Sequence, residues 1–219
     1  MNARHRIAAA VMAGMMAVSV GSGCTEYQKL RKGVDQLSHP DSGPRPLTDE
    51  QKIKLIDNMR AKGSFEAARD RLTGSAQAIA ERISGAVPGQ TWKFADDRNE
   101  QDAYQNGSLC ESLDPSLARR PRARTVEFGK PFTTDGFTAA VGVVRQEAAK
   151  YGATQESSLF NEPAKRDYDV QGDGNEFNLG QAKIATLLIT GDCFLFQKVL
   201  DTPAGQLPKT SSIPTSPTP

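Results

Sequence analysis

Three cysteines lead the short set of residues here that could do chemistry. Cys24 follows Val20-Gly21-Ser22-Gly23, an aliphatic residue and small residues ahead of a thiol. That layout resembles the end of a bacterial lipoprotein signal, where the cysteine sulfur takes acyl chains such as palmitate. Ahead of it Met1-Asn2-Ala3-Arg4-His5-Arg6 is positively charged and Ile7 to Val20 is apolar, the order of a secretory signal. The apolar run is about 14 residues, short of the roughly 20 that a helix needs to cross a bilayer, so cleavage is expected rather than a permanent span. Lipidation at Cys24 is therefore the expectation, with a freely secreted protein carrying one odd thiol as the alternative.

Cys110 and Cys193 then remain as an even pair, which an oxidising compartment would join as a disulfide. The alternative is two reduced buried thiols. A bridge closing a loop of about 84 residues would remove unfolded-state entropy equivalent to about 4 to 4.5 kcal/mol. Past the signal the chain has one histidine, His39, beside Pro40 in a polar segment that cannot hold a base against a partner. Serine and cysteine proteolytic chemistry and the usual zinc and iron sites lose their central ligand with it. Gly172-Asp173-Gly174-Asn175 lacks the lysine of a phosphate loop.

Carboxylates are what is left. Asp167-Tyr168-Asp169-Val170-Gln171-Gly172 has acids at the first and third positions and glycine at the sixth of a calcium loop, but Asn178 stands where a bidentate glutamate is wanted. Asp167, Asp169, Asp173 and Glu176 could instead serve as the acid and base of a hydrolase, or simply solvate a hairpin. No catalytic residue, no metal site and no cofactor site is assigned. Trp92, Tyr104, Tyr151 and Tyr168 could line a groove, though at 6% aromatic content they fit a core better.

The chain carries 27 basic and 26 acidic residues, and loss of Arg4 and Arg6 with the signal turns the balance to −1. Such a charge gives no reason to expect nucleic acid as a partner. Arg119-Arg120-Pro121-Arg122-Ala123-Arg124 is the local exception and reads as a solvated loop.

Residues 1–23 are thus a signal peptide, 24–46 a lipid-anchored flexible tether rich in Gly and Pro, 47–203 one domain, and 204–219 a disordered tail. Within the domain, Thr48-Asp49-Glu50-Gln51 fits a capping box for a first helix with Ile53, Leu55, Ile56 and Met59. Ser64 caps a second, whose Phe65, Ala68, Leu72, Ala76, Ile79 and Ile83 recur every three or four residues. Thr91–Phe94 and Thr125–Phe128 alternate as strands, Thr134 to Tyr151 returns to helical spacing, and strands follow over 154–160 and 166–170. After the turn signal Gly172-Asp173-Gly174 a long strand from Glu176 to Thr190 and a short one over 193–196 close the domain. Short turns between the late strands require antiparallel pairing. The expected architecture is α+β, two layers with an antiparallel sheet packed by a helix and preceded by an N-terminal helical pair. A bonded Cys110–Cys193 pair would also bring the loop before Arg119 against the last strand.

The stretches 50–60, Pro88-Gly89-Gln90-Thr91-Trp92-Lys93-Phe94 and 149–200, with Glu156-Ser157-Ser158-Leu159-Phe160-Asn161 and Ile189-Thr190-Gly191-Asp192-Cys193 inside the last, resemble the mycobacterial LppA/LppB lipoproteins. The resemblance implies an envelope location and an acylated Cys24, and it transfers no active-site residue. The expected protein is anchored to the extracytoplasmic face of the cell membrane. It is non-enzymatic, with an envelope protein or an apolar ligand as partner. The alternatives are a carboxylate-dependent hydrolase and a lipid carrier.

Overall fold

The structure, a computed structural model, describes residues 47–208 apart from Ser112. The signal, the tether with His39, Cys24 itself and most of the expected tail lie outside the described residues.

Thr48 caps helix α1 (Asp49–Met59): its side chain accepts from the Gln51 amide, and the Gln51 side chain accepts from the Thr48 amide at 2.9 Å. This reciprocal box satisfies two of the amides that a helix start leaves without partners. A 3-10 turn (Arg60–Lys62) and Gly63 end it, and Ser64 caps α2 (Phe65–Ala86). Strand β1 (Trp92–Phe94) is followed by α3 (Arg98–Asn106), β2 (Ser108–Leu109), β3 (Ala118–Arg120) and β4 (Val126–Phe128). Helix α4 (Thr134–Ala149) precedes β5 (Gln155–Ser157), β6 (Asn161–Glu162), β7 (Lys165–Gly172), β8 (Asn175–Gln181) and β9 (Ala185–Thr190). β10 (Phe194–Leu195) and α5 (Gln197–Leu200) finish the described fold.

The main sheet runs β1-β4-β9-β8-β7-β5, with β6 also on β7, and every pairing is antiparallel. Both α2 and α4 cover one face, so the second N-terminal helix shares the layer with α4. Leu72, Ala76, Ile79 and Ile83 of α2 and Ala140, Val144 and Ala148 of α4 bury against Val126, Val170, Phe177, Leu179, Leu187 and Ile189 of the sheet. Glu147, buried between the two helices, is paired rather than stranded: the Ser75 hydroxyl donates to it at 3.0 Å and Lys150 at 2.7 Å.

Asp173 and Gly174 form the two-residue turn between β7 and β8, with φ of +48° and +77°. Positive φ at both positions is what a right-twisted hairpin demands, and glycine adopts it without a Cβ penalty. The expected long strand over 176–190 is two strands. Ala182, Lys183 and Ile184 reverse the chain, the Ala182 amide donating to the Ile184 carbonyl at 3.0 Å. Folding back lets β9 pair with both β8 and β4, which one long strand could not do.

A second, smaller sheet, β10-β3-β2, was not foreseen as a sheet. Phe194 lies opposite Arg119, so the segment before Arg119 does meet the last strand. The basic run around it is no solvated loop, because each arginine has a partner inside the protein. Arg119 donates to the Pro115 carbonyl and Arg120 to the Gly191 and Gly174 carbonyls. Arg122 pairs with Glu100, and Arg124 lies 4.4 Å from the Phe94 ring centroid. Among the described residues no helix is long and apolar enough to cross a membrane.

Candidate functional site

The small sheet and α1 enclose a second core of Ile56, Met59, Cys110, Leu113, Ala118, Leu195 and Val199. At its edge lies an open cleft of about 510 Å³. Leu55 and Met59 come from α1, one turn apart, so the helix offers both to the same wall. Leu109, Cys110 and Leu113 come from β2 and the loop after it. The Cys110 and Cys193 sulfurs are bonded, with Cα atoms 5.9 Å apart, and the bridge forms part of the lining. Gly107, at φ +61°, lets the chain enter β2 against the Arg120 carbonyl, where any Cβ would collide.

Charge sits at the rim. Lys62 pairs with Asp192, whose other oxygen accepts from the Cys193 amide at 2.7 Å, and Arg120 is held by its two carbonyl partners. Leu109 is 61% exposed, a large apolar side chain left in water beside the cleft. Apolar walls, a charged rim and no histidine among the described residues suit an amphipathic molecule or a partner's side chains better than proton transfer. The sequence contained one trace of this: Leu55 is apolar but lies beside the buried positions Ile56 and Met59 of α1.

The four carboxylates do not converge. Asp167 accepts from the Leu159 and Phe160 amides, while Asp173 sits in the turn at the far end of β7. Asp169 and Glu176 alone meet, as diagonal neighbours on the sheet face that the helices leave open. Asn178, the twelfth residue of the would-be calcium loop, is across the hairpin from Asp169. Among the described residues no group of three or more acids, cysteines or histidines could hold a metal ion. The aromatics are separated too: Trp92 packs on Phe94, Tyr104 lies under Arg69, Tyr151 meets Phe177 and Tyr168 is buried.

Partial burial, and then the facing Asp169 carboxylate, raise the Glu176 pKa above the ordinary glutamate value, while Arg120 opposes them. A folded-state pKa above the unfolded one means that stability falls as pH rises through that window. Glu176→Gln should therefore melt higher than the parent protein at pH 7, by under about 1 kcal/mol for a pair still partly open to solvent, and equally at pH 3. Thermal melts at the two pH values check this, and equal melting at both would remove the coupling.

A family model described as a lipoprotein confined to pathogenic Mycobacterium matches residues 41–197. The chain belongs to the LppA family. LppB of Mycobacterium tuberculosis H37Rv is 60% identical over 216 residues, 98% of this chain and 93% of the relative. LppA of the same strain is 57% identical over the same span. A crystal structure of LppA from Mycobacterium tuberculosis superposes with a TM-score of 0.72 at 66% identity, covering 75% of this chain and 97% of the solved one. The LppA relatives are named as lipoproteins and carry no name for an activity. The solved chain is therefore little more than the family domain, and this chain's described residues share its fold.

Proposed function

We propose that this protein is an envelope lipoprotein, held by acyl chains on Cys24 at the extracytoplasmic face of the membrane, whose domain binds an apolar or amphipathic envelope molecule without catalysis. The observation that carries the binding reading is the cleft between α1 and the disulfide-linked loop, lined by Leu55, Met59, Leu109 and Leu113. The family supports the anchor, since its members are described as lipoproteins. A carboxylate hydrolase is the second reading, favoured by the facing Asp169 and Glu176. A glycosidase would need such a pair roughly 5 to 9.5 Å apart across the bond to be cut, so an activity lost in Glu176→Gln on a glycosidase and esterase screen is the result that would favour this reading.

Residues 25–219 titrated with a dansyl-labelled undecanoic acid should show saturable fluorescence enhancement. Leu109→Asp, at an exposed position, should weaken it about tenfold, the effect of replacing a leucine contact by a charge. No saturable binding, or equal binding by the variant, would remove the cleft from the account.

A further inference from the structure

Four large apolar side chains stand exposed among the described residues, and three of them gather at one end of the main sheet. Leu159 is 83% exposed and Phe160 40% exposed, both on the loop between β5 and β6, and Ile184 is 50% exposed on the turn between β8 and β9. Phe160 and Ile184 line one shallow hollow with Lys165 and Lys183. The loop is built rigid. Asp167 on β7 accepts from the Leu159 amide at 3.0 Å and the Phe160 amide at 2.6 Å, and the Asp167 amide donates to the Phe160 carbonyl at 3.1 Å. A hydrogen-bond network that fixes two apolar residues in water offers a preformed contact surface.

The flanking charge is basic. Lys165 lies over the Phe160 ring at 3.4 Å from its centroid, Lys183 precedes Ile184, and Lys130 stands exposed on the loop that Gln181 ties to the sheet end through Phe132. Lys130, Lys165 and Lys183 form no ion pair among the described residues. Arg166 at this end is buried and donates to the Thr134 hydroxyl, so the three exposed lysines stand against Asp135, Glu162 and Asp167, and the Asp167 carboxylate is taken up by the loop amides. Two loop tips showing three side chains are too small for a protein interface, which covers roughly 800 Å² on each partner. They suit a bilayer interface, where apolar tips enter the acyl boundary and lysine stems lie along them with their ammonium groups at the phosphates.

We infer that the Leu159-Phe160 and Ile184 loop tips, with Lys165 and Lys183, dock the domain on an anionic phospholipid surface independently of any lipid on Cys24. Residues 25–219, which lack that cysteine, provide the test, in co-sedimentation with vesicles of phosphatidylcholine alone or mixed with phosphatidylglycerol. Binding should appear on the anionic vesicles and weaken with added salt. Leu159→Ser combined with Phe160→Ser should reduce it about tenfold or more, and Lys165→Glu with Lys183→Glu should abolish the preference for phosphatidylglycerol. Unchanged melting temperatures would show these exposed positions leave the fold intact. The inference fails if anionic vesicles are not bound, or if the double serine variant binds like the parent. It fails equally if sedimentation velocity shows that the tip mediates self-association without vesicle binding.

Discussion

Cys24→Ala should transfer the protein from the detergent phase to the aqueous phase on Triton X-114 partitioning and abolish its labelling by an alkyne fatty acid. The expectation rests on where the sulfur sits, directly after a positively charged and then apolar leader. Each acyl methylene buried in a bilayer contributes about 0.8 kcal/mol, and two or more chains make release negligible. A docked loop tip behaves differently, because its electrostatic part is screened by salt. Membrane fractions should therefore be washed at high salt: the acylated parent stays bound, and any residual Cys24→Ala protein is released. A variant that remains in the detergent phase, or a parent that takes no label, would refute the anchor while leaving the loop-tip inference to its own vesicle assay.

The second large effect belongs to the bridge. Replacing both Cys110 and Cys193 by alanine should destabilise the domain by about 4 kcal/mol, since the bond spans 83 residues of chain and removes that loop's freedom from the unfolded state. For a domain of this size each kcal/mol moves the melting temperature by about 2 to 4 °C, so a fall of about 8 to 16 °C is expected. Hydrogen exchange should quicken first in α1 and the small sheet, because Cys110 and Cys193 lie in the second core while the main core forms without them. The dansyl fatty acid should lose affinity in the same variant. A melting temperature within 3 °C of the parent, measured with the pair verified as bonded in the wild type, would show that packing alone holds this module.

Features that one local segment controls were legible in the residues. The Thr48–Gln51 box, the Ser64 cap, the α2 stripe from Leu72 to Ile83 and the Asp173-Gly174 turn each depend on neighbours within four positions, and each is present. The reversal at Ala182–Ile184 was missed because no glycine or proline stands in the turn itself, and its one trace is the break at Gln181 and Lys183 of the alternation begun by Phe177 and Leu179. Helix α3 escaped as well: none of its residues is buried, so it has no apolar stripe. Its Asp97 cap and the Glu100 contact with Arg122 hold it instead.

For the candidate site, the leader ahead of Cys24 pointed to acylation at a residue that lies outside the described ones, and the cysteine count left Cys110 and Cys193 as the pair that is bonded, because thiol chemistry depends on residue type and compartment more than on shape. The cleft, the Arg119–Arg124 partners and the exposed tip came only with the tertiary structure. Each joins residues far apart in the chain, Lys62 with Asp192 and Phe160 with Ile184 among them, and no local spacing encodes such meetings. The extended strand β7 also separates Asp167, near its start, from Asp173, in the turn after it, since a strand rises about 3.3 Å per residue where a sequence shows only adjacency.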